Sequence, residues 1–548
     1  MDRSIKARAV LGLTPVATFK QTRKNDDYTI NKLGIDSKIL MENAGKAAFE
    51  NILDFVEDKG FSSSKFVILA GGGNNGGDGY VIARYLKRAG FDVRCVQVSE
   101  PKTDECEYNY ALCKKVGVEI FPLEKFESKL SETLLERIVV VDAVFGTGFK
   151  GKVEGRIRAL MEKVAKYQRN GRVLVVAIDV PSGWGSEDGF YLPADLIVTF
   201  QYFKREFLTE ELLSKTCVKV VDIGLFEPVS GEGGSEEQGN DLEPKGYMLR
   251  DCYVLLRKKE YSHKGMAGKV SIIAGNLGTV GAAIMCSRSC FLAGAGLVYM
   301  FIPEEVAPFV DVAVPEVVIE PYDSRDVGFS DDVLLRLEKL RVNSVVVGPG
   351  FGLDRGRLFN LKGVLDSFRE KECFVVVDAD GLQALDGVYN ERFLITPHPA
   401  EAARLLDVSL EEVLQHKVDT AVELWKKFKT RVLLKGTPSV YFNGKKYFVF
   451  NDTEPSLAKA GSGDILAGIL GSLLNWEINI ELLKRGLVDV EIDSFDAAVI
   501  LAVKLHIEAA KVASVETGKV ACYPTKIVEA IPKVLKSWEG IVSEEIIY

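Results

Sequence analysis

The sequence has few residues of the kinds that bind transition metals or form disulfide frameworks. Its nine cysteines are scattered over 548 residues, no two have CxxC spacing, and there are only four histidines. Neither a zinc knuckle nor a disulfide-stabilised secreted domain is therefore indicated. A reducing cytoplasm is the expected compartment.

Long apolar runs and a surplus of positive charge are also missing. The most apolar region, 281–302, is interrupted by Arg288 and several glycines, and the first 15 residues hold too short an apolar stretch for a signal peptide. The net charge of -9, with acidic and basic residues interleaved, gives no basic surface for nucleic acid or anionic lipid. We therefore expect small-molecule partners, without a membrane or nucleic acid.

A chain of this length exceeds one hydrophobic core and indicates at least two domains. Residues 229–244, VSGEGGSEEQGNDLEP, have too few aliphatic side chains to order themselves, so we predict a linker at 229–245 between domains at 1–228 and 246–548. On both sides, apolar runs alternate with helical patterns, which is typical of strands buried in a mainly parallel sheet. We predict two tandem α/β domains, the first a doubly wound Rossmann-like sheet and the second with a hairpin at Asn443-Gly444.

Three glycine-rich segments that carry Asp, Asn or Ser follow predicted strands of the first domain. They are GGGNNGGDG after 65–70, DAVFGTGFKG after 138–141 and DVPSG after 173–178. Ligands of such sheets bind at the carboxyl ends of the strands, and a helix predicted to begin near Gly79 would add its positive end. A pyrophosphate-bearing ligand is one interpretation. A run of tight turns is the other, because there is no Walker A lysine and no strict GxGxxG spacing.

The second domain contains KAGSGDILAGILGSLL at 459–474, a glycine-rich turn leading into a helix. Such a helix start binds anions, and Asp464 in its first turn could take a proton from a hydroxyl beside a phosphate. This arrangement suits phosphoryl transfer. The alternative is an acidic residue that only stabilises the helix dipole.

Four ordered motifs make the first domain resemble the NAD(P)H-hydrate epimerase domain, the YjeF N-terminal family. They are MENAG at 41–45, GNNGGDG at 73–79, VDAVFGTGFKG at 141–151 and AIDVPSG at 177–183. The resemblance implies that a potassium ion is held by Asn75, Asp142 and Ser182. It also implies that the hydrated nucleotide is contacted by Asn74, Asn75, Gly76, Gly77, Asp78, Gly146, Thr147, Gly148, Phe149, Lys150, Gly151, Lys152 and Asp179.

The chemistry of such a substrate requires only acid/base assistance. A hydroxyl on C6 of the hydrated nicotinamide lies beside the ring nitrogen, whose lone pair can expel hydroxide so that water returns on either face. Asp179, at a predicted strand end, is our candidate for moving the proton. The alternatives are that Asp179 rigidifies the Pro181-Ser182-Gly183 turn, or that the domain is a nucleotide sensor or scaffold.

A second series of motifs resembles the ribokinase-like dehydratases that repair NAD(P)H hydrates. They are HKGMAGKVSIIAG (263–275), AGAGLV (293–298), VVVGPGFG (345–352), TPHPAEAARLL (396–406), LLKGTPSV (433–440) and GSGDILAG (461–468). The resemblance implies that Asp464 is the base and that Gly350, His398 and Asp464 contact the hydrated nucleotide. The ADP donor would contact Lys435, Gly436, Thr437, Pro438, Ser439, and residues from Glu454 through Ala460, Gly461, Ser462 and Gly463.

The resemblance also implies Mg²⁺ on the donor phosphates, with Glu401 where related kinases carry a metal-organising glutamate. ADP is the expected phosphate donor, and ATP is an alternative. Transfer of a phosphoryl group to the C6 hydroxyl would create a good leaving group, and elimination would restore the dihydropyridine.

The sequence therefore predicts a bifunctional enzyme for NADH and NADPH hydrates. The first domain would interconvert the two C6 epimers, and the second would dehydrate the (S) form with release of AMP and phosphate. A homo-oligomer is expected. The alternative is a ribokinase-like small-molecule kinase with a nucleotide-binding accessory domain.

Overall fold

The computed structural model describes residues 5–62, 64–126, 136–228, 244–258, 263–324, 329–452, 454–482 and 490–539. The chain forms two compact units. Val16–Leu242 form the N-terminal unit, and Met1–Pro15 with Glu243–Tyr548 form the C-terminal unit. Residues 229–243 of the predicted linker lie outside the described residues.

The N-terminal unit alternates strands and helices, as the spacing of its apolar runs predicts. Its strands are β1 (Ile5–Ala17, which begins in the other unit), β2 (Lys65–Ala70), β3 (Val93–Gln97), β4 (Glu119–Pro122), β5 (Ile138–Ala143), β6 (Val173–Ile178), β7 (Leu196–Phe200), β8 (Phe203–Lys204) and β9 (Cys217–Val221). Its helices are α1 (Phe19–Asp27), α2 (Ser37–Asp58), α3 (Asn74–Arg88), α4 (Asp104–Lys115), α5 (Gly155–Arg169) and α6 (Glu210–Lys215).

Seven strands of this unit form a parallel sheet in the order β4-β3-β2-β5-β6-β7-β9. The order reverses between β2 and β5, where the chain runs outward in both directions, and ligands bind at such a point in doubly wound sheets. Strands β5 and β6 are buried along their whole length, which explains their uninterrupted apolar sequences. The doubly wound prediction is confirmed.

The C-terminal unit has a second α/β sheet. Its strands are β10 (Lys245–Lys258), β11 (Lys269–Ile273), β12 (Leu297–Pro303), β13 (Val318–Tyr322), β14 (Ser344–Val347), β15 (Phe374–Val377), β16 (Phe393–Ile395), β17 (Arg431–Leu434), β18 (Ser439–Phe442), β19 (Lys446–Phe450) and β20 (Glu477–Leu482). Its helices are α7 (Val280–Leu292), α8 (Ala307–Ala313), α9 (Phe329–Leu340), α10 (Arg355–Ser367), α11 (Pro399–Leu406), α12 (Leu410–Gln415), α13 (Lys417–Phe428), α14 (Ser462–Leu473), α15 (Ser494–Thr517) and α16 (Pro524–Glu539).

The sheet order is β13-β12-β11-β14-β15-β16-β17-β18-β19-β10-β1-β20. Strands β13 to β17 are parallel, and β17, β18 and β19 are antiparallel, so the predicted hairpin is confirmed. At its turn the Asn443 side chain accepts hydrogen bonds from the backbone nitrogens of Lys445 and Lys446, and Gly444 has φ 97°. Among the described residues, no helix combines the length and the apolar character needed to cross a lipid bilayer.

Residues 5–15 belong to the C-terminal unit, whereas the prediction placed them in the first domain. Residues 6–11 of β1 pair in parallel with residues 477–482 of β20, and Ala9 and Leu11 are fully buried in the core of the C-terminal unit. The predicted first domain, 1–228, therefore includes a segment that the structure assigns to the C-terminal unit. Burial alternates along β1, so that every second side chain of its first half packs in that core. Dividing the sequence at the linker alone does not reveal this contribution.

Candidate active sites

The carboxyl ends of β2 and β5 and the start of the segment after β6 surround a cavity of about 540 Å³ in the N-terminal unit. Helix α1 and the end of β8 also line it. The predicted residues that line it are Asn74, Asn75, Asp78, Gly146, Thr147, Gly148, Phe149 and Asp179. The predicted residues Gly76, Gly77, Lys150, Gly151 and Lys152 are not among the described residues that line it.

Two of the predicted ligand-contacting glycines lie inside α3 and pack against the protein. Helix α3 begins at Asn74, five residues before the predicted start near Gly79, so that Gly76 and Gly77 fall in its first turn. A Cβ on Gly76 would lie 1.9 Å from the Gly71 carbonyl oxygen, and one on Gly77 would lie 2.6 Å from the Met41 sulfur. These two glycines therefore permit close packing, whereas the cavity is lined by Gly72, Gly73 and the asparagines.

Three predicted ion ligands come together between β5 and the segment that follows β6. Asp142 is fully buried, and its Oδ1 accepts a hydrogen bond of 2.5 Å from the Ser182 hydroxyl while its Oδ2 accepts one of 2.8 Å from the Ser182 backbone nitrogen. Asn75 Nδ2 donates to the Phe145 carbonyl oxygen at 3.0 Å. Burial raises the pKa of Asp142 to about 6, against the opposing effect of the hydrogen bonds from Ser182 and Val144.

The donor chemistry of this group fits a potassium ion. Asn75 Oδ1 is buried and receives no hydrogen bond from any described residue, and an orphaned carboxamide oxygen of this kind is costly unless a cation or water satisfies it. Carboxylate, hydroxyl and amide oxygens are hard ligands. Asn75, Asp142 and Ser182 would hold the ion, whose positive charge would neutralise the buried carboxylate.

Asp179 is held in a strained position beside the cavity. Its backbone lies in the left-handed region, with φ 61°. Its Oδ1 accepts a hydrogen bond of 3.1 Å from the Thr199 hydroxyl and lies 3.3 Å from Lys204 Nζ. Lys204 is fully buried and also donates to the Phe200 carbonyl oxygen at 2.8 Å. Because these partners all come from the end of β7 and from β8, the carboxylate does not rigidify the turn at residues 181–183.

The C-terminal unit gathers charged groups at the carboxyl ends of β15 and β17. Lys435, directly after β17, lies with its Nζ 2.6 Å from Oδ1 of Asp378, directly after β15. The same oxygen accepts a hydrogen bond of 2.7 Å from the Thr396 hydroxyl. Burial lowers the pKa of Lys435, but the carboxylates of Asp378 and Glu401 outweigh it and leave that pKa raised.

Helix α14 begins beside this ion pair. Gly461, its N-cap, has φ 97°, and Asp464 stands in the first turn as predicted. A Cβ on Gly463 would lie 3.3 Å from Lys435 Nζ. Burial raises the pKa of Asp464 to about 6, the Asp378 carboxylate adds to the rise, and Lys435 opposes it. The helix start thus joins backbone amides, a cation and a carboxyl group whose pKa is raised to about 6.

The loop 435–439 is held by hydrogen bonds from Lys417, a residue outside the motifs quoted for the second domain. Lys417 is buried, and its Nζ donates to the carbonyl oxygens of Thr437 at 2.9 Å and Pro438 at 3.1 Å. The Ser439 hydroxyl donates to the Gly436 carbonyl oxygen at 2.8 Å. These bonds fix the shape of the predicted donor-binding loop.

His506 lies in α15, buried beside the predicted donor-binding turn. Its Nε2 lies 3.2 Å from the Ser462 hydroxyl, at the start of α14. Burial first, and then the Lys435 charge, lower the pKa of His506 to about 4, so the imidazole is neutral at physiological pH. His506 therefore supports the predicted donor-binding turn through Ser462.

His398 and Glu401 satisfy each other at the start of α11. The His398 backbone nitrogen donates to Glu401 Oε2 at 2.8 Å, and His398 Nε2 lies 3.4 Å from Glu401 Oε1. His398 Nδ1 accepts from the backbone nitrogens of Ala400 and Glu401. Burial lowers the pKa of His398, against the Glu401 carboxylate. Glu401 Oε2 thus completes the cap of α11, and Glu401 Oε1 faces the imidazole of His398.

The remaining predicted residues lie at strand ends or at the α14 turn. Gly350, with φ 59°, accepts a hydrogen bond of 2.6 Å from the Thr279 hydroxyl after β11. Ala460 is exposed directly before Gly461. Glu454 is buried, and its Oε1 accepts from the Ser456 hydroxyl at 2.8 Å, so this side chain caps the turn at Pro455–Leu457.

The functional candidates that sequence reasoning missed are Lys204, Asp378, Lys417 and His506. Asp378 had a usable signal, because it follows the apolar run FVVV and so stands at a strand end like Asp142 and Asp179. Lys204 and Lys417 had none, since their partners are backbone carbonyls and residues brought near only by folding.

The doubly wound sheet and the paired strand-end sites define a two-unit α/β enzyme that acts on nucleotides. The family model described as YjeF-related protein N-terminus matches residues 37–206, and the model described as NAD(P)H-hydrate dehydratase matches residues 270–533. The chain belongs to the family of bifunctional NAD(P)H-hydrate repair enzymes, with an epimerase domain followed by a dehydratase domain. The resemblance found in the sequence is therefore confirmed.

Relatives of this family align over nearly the whole chain. The curated bifunctional NAD(P)H-hydrate repair enzyme Nnr of Thermofilum pendens is 32% identical over 95% of this chain and 96% of its own. The enzyme of the same name from Moorella thermoacetica is 30% identical over 96% of this chain and 97% of its own. A solved structure, the ADP/ATP-dependent NAD(P)H-hydrate dehydratase from Bacillus subtilis co-crystallized with ATP/Mg²⁺, has 22% identity and a TM-score of 0.42 over 52% of this chain and 94% of its own.

Proposed function

We propose that the N-terminal unit interconverts the (R) and (S) epimers of NADH and NADPH hydrates with Asp179 as an acid/base group. The observation that carries this proposal is the Asp179 carboxylate, held in left-handed backbone beside the cavity and 3.3 Å from a buried lysine. Strained, well-supported side chains of this kind are found at reaction centres. The Lys204 ammonium balances the carboxylate charge and fixes its position.

The potassium ion belongs to the same proposal. Asn75, Asp142 and Ser182 would hold it, and the orphaned Asn75 oxygen supports that assignment. When bound, the ion supplies positive charge near the phosphate-binding turn. The proton of the C6 hydroxyl is moved by the acid/base side chain, Asp179, and not by the ion.

The C-terminal unit, in this proposal, transfers a phosphoryl group from ADP to the C6 hydroxyl of the (S) epimer. The Asp464 carboxylate takes the hydroxyl proton as the oxygen attacks the terminal phosphorus, and AMP leaves. The Gly461 and Gly463 amides and the Lys435 ammonium would stabilise the charge on the phosphoryl oxygens. Loss of phosphate from C6 and of a proton from C5 then restores the dihydronicotinamide.

The proposal also includes the phosphate donor and the cellular compartment. The solved Bacillus subtilis relative carries ADP and ATP in its name and was co-crystallized with ATP/Mg²⁺, which supports either donor here. Magnesium would be held by the donor phosphates, as is common for this ion, with Glu401 as the candidate metal-organising residue. All nine cysteines are free thiols, which is consistent with a cytoplasmic enzyme. Assembly as a homo-oligomer stays a prediction.

One assay tests both activities. The full chain is incubated with mixed-epimer NADH hydrate, Mg²⁺ and either ADP or ATP, and NADH absorbance, phosphate and AMP are followed. We expect recovery of all substrate by the wild type, recovery of only the (S) fraction by Asp179→Asn, and no recovery by Asp464→Asn. Accumulation of a stable phosphorylated product would favour a small-molecule kinase, and full recovery by Asp179→Asn would contradict the acid/base role.

A further inference from the structure

The epimerase cavity is also lined by a carboxylate that belongs to none of the recognised motifs. Asp26, near the end of α1, lines the cavity together with Asp78, Asp179 and Lys204. It lies outside residues 37–206, the part of the chain that matches the family model. No hydrogen bond from a described residue commits its side chain to a structural role.

The surroundings of Asp26 favour its protonated form. Burial raises the pKa of Asp26 to about 6, the Asp179 carboxylate adds to the rise, and Lys204 opposes it. Asp179 is paired directly with Lys204, whereas Asp26 has no such ion pair among the described residues. Asp26 therefore keeps its proton to a higher pH than an ordinary aspartic acid does. Arg23, Lys102 and Glu105 are the other charged residues of its lining.

A second observation indicates that these groups face a ligand. Asp78 is more than nine-tenths buried, lines the cavity, and receives no hydrogen bond from a described residue. Burial first, and then the carboxylates of Asp179 and Asp26, raise its pKa well above the usual value. A buried carboxyl group with a raised pKa and no hydrogen bond from a described residue is suited, in its protonated form, to donate to a ligand oxygen.

We propose that Asp26 is the second acid/base residue of the epimerase and works as a pair with Asp179. This inference rests on the proposed role of Asp179. Epimerisation requires a proton for the departing hydroxyl and a base for the entering water, and two carboxyl groups that line the same cavity can supply both.

The step balances without an oxidant or reductant. The carboxylic acid of Asp26 protonates the C6 hydroxyl, the C6–O bond breaks, water leaves, and the ring-nitrogen lone pair forms a C6=N bond. A water molecule then adds to the other face of C6, the C6=N electron pair returns to nitrogen, and the Asp179 carboxylate takes the water proton. The opposite direction uses the acid form of Asp179 and the carboxylate of Asp26. Exchange of one proton with solvent resets the pair.

The test measures epimerisation of purified (R) and (S) NADH hydrate by the full-length protein, without a phosphate donor. Asp26→Asn is expected to lower kcat about a hundredfold in both directions with little change in KM, because general acid/base groups contribute about that much or more. Asp26→Glu should recover part of the loss. In the direction in which Asp26 acts as the acid, the wild-type rate should fall as the pH rises above about 6, because Asp26 loses the proton that it supplies. Asp26→Asn should abolish this pH dependence.

The matched control is Asp27→Asn, which makes the same charge change at the exposed neighbouring residue of α1. It should leave epimerisation unchanged, and the dehydratase rate on pure (S) substrate should be the same in all variants, which checks folding. Equal rates for Asp26→Asn and Asp27→Asn would overturn the inference, as would a loss with Asp78→Asn and none with Asp26→Asn. Full activity of Asp179→Asn would instead contradict the proposed function on which the inference depends.

Discussion

Lys435 and Asp378 form a largely buried ion pair, with 2.6 Å between Nζ and Oδ1, at the carboxyl ends of two strands that are not neighbours in the sheet. The pair lies beside the first turn of α14, where a Cβ on Gly463 would be 3.3 Å from the lysine nitrogen and 3.7 Å from Asp378 Oδ2. Its charges therefore act on Asp464. The carboxylate of Asp378 raises the pKa of Asp464 after burial does, and Lys435 lowers it.

Asp378→Asn should shift the pH dependence of the dehydratase to lower pH. Removal of the negative charge takes away one cause of the raised Asp464 pKa and leaves the Lys435 charge uncompensated, and both effects lower that pKa. The low-pH limb of the rate on (S) substrate should move below about pH 6. The variant should also lose stability by about 3 kcal/mol, since it leaves a buried cation unpaired.

The control for this variant is Asp331→Asn, an exposed acidic residue in the first turn of α9. It should change neither the limb nor the stability. An Asp378→Asn enzyme that is less stable but has an unmoved limb would show that the pair is only structural.

The wild-type dehydratase should depend on pH through Asp464. A general base acts when ionised, so a group with a pKa of about 6 gives a rate that rises through pH 6 and is constant above it. Asp464→Asn should lower kcat by about a hundredfold or more, with epimerisation in the same protein unchanged. A pH profile of the wild type that is flat between pH 5 and 8 at saturating substrate would contradict the assignment.

Site residues marked by a local sequence pattern could be predicted, whereas those brought together from distant parts of the chain could not. Asp142 and Ser182 were found because apolar runs mark the strands and a polar group stands at or just after the strand end, whereas Asp464 was found because a glycine-rich turn leads into its helix. Lys204 and Asp26 were not, because the first pairs with Asp179 through β7 and β8 and the second reaches the cavity from α1. Contacts between residues that are far apart in the sequence leave no local pattern from which they could be predicted.

Glycine-rich sequence was the least reliable signal, since bare backbone serves ligands and close packing equally well. Gly76 illustrates the second use, because a Cβ there would meet the Gly71 carbonyl oxygen at 1.9 Å.

Gly76→Ala should therefore lower the free energy of unfolding of the N-terminal unit by at least about 2 kcal/mol, from overpacking. Gly148→Ala, where a Cβ meets nothing within 4 Å, is the control for stability. Thermal unfolding of both variants, followed with epimerase activity, distinguishes packing from ligand contact.

Leu11 tests the assignment of the first residues to the C-terminal unit. Its side chain is fully buried and packs in the core that contains Trp476 and Ile478, next to the strand β20 with which β1 pairs. Leu11→Ala should cost about 3 kcal/mol, because it removes buried apolar atoms and leaves a cavity. The loss should appear as earlier heat inactivation of the dehydratase, with epimerase inactivation little changed. Leu33→Ala, at a leucine that is 46% exposed, should change neither. Loss of epimerase activity before dehydratase activity in Leu11→Ala would instead place this segment with the N-terminal unit, since each activity reports the integrity of the core beneath its own site.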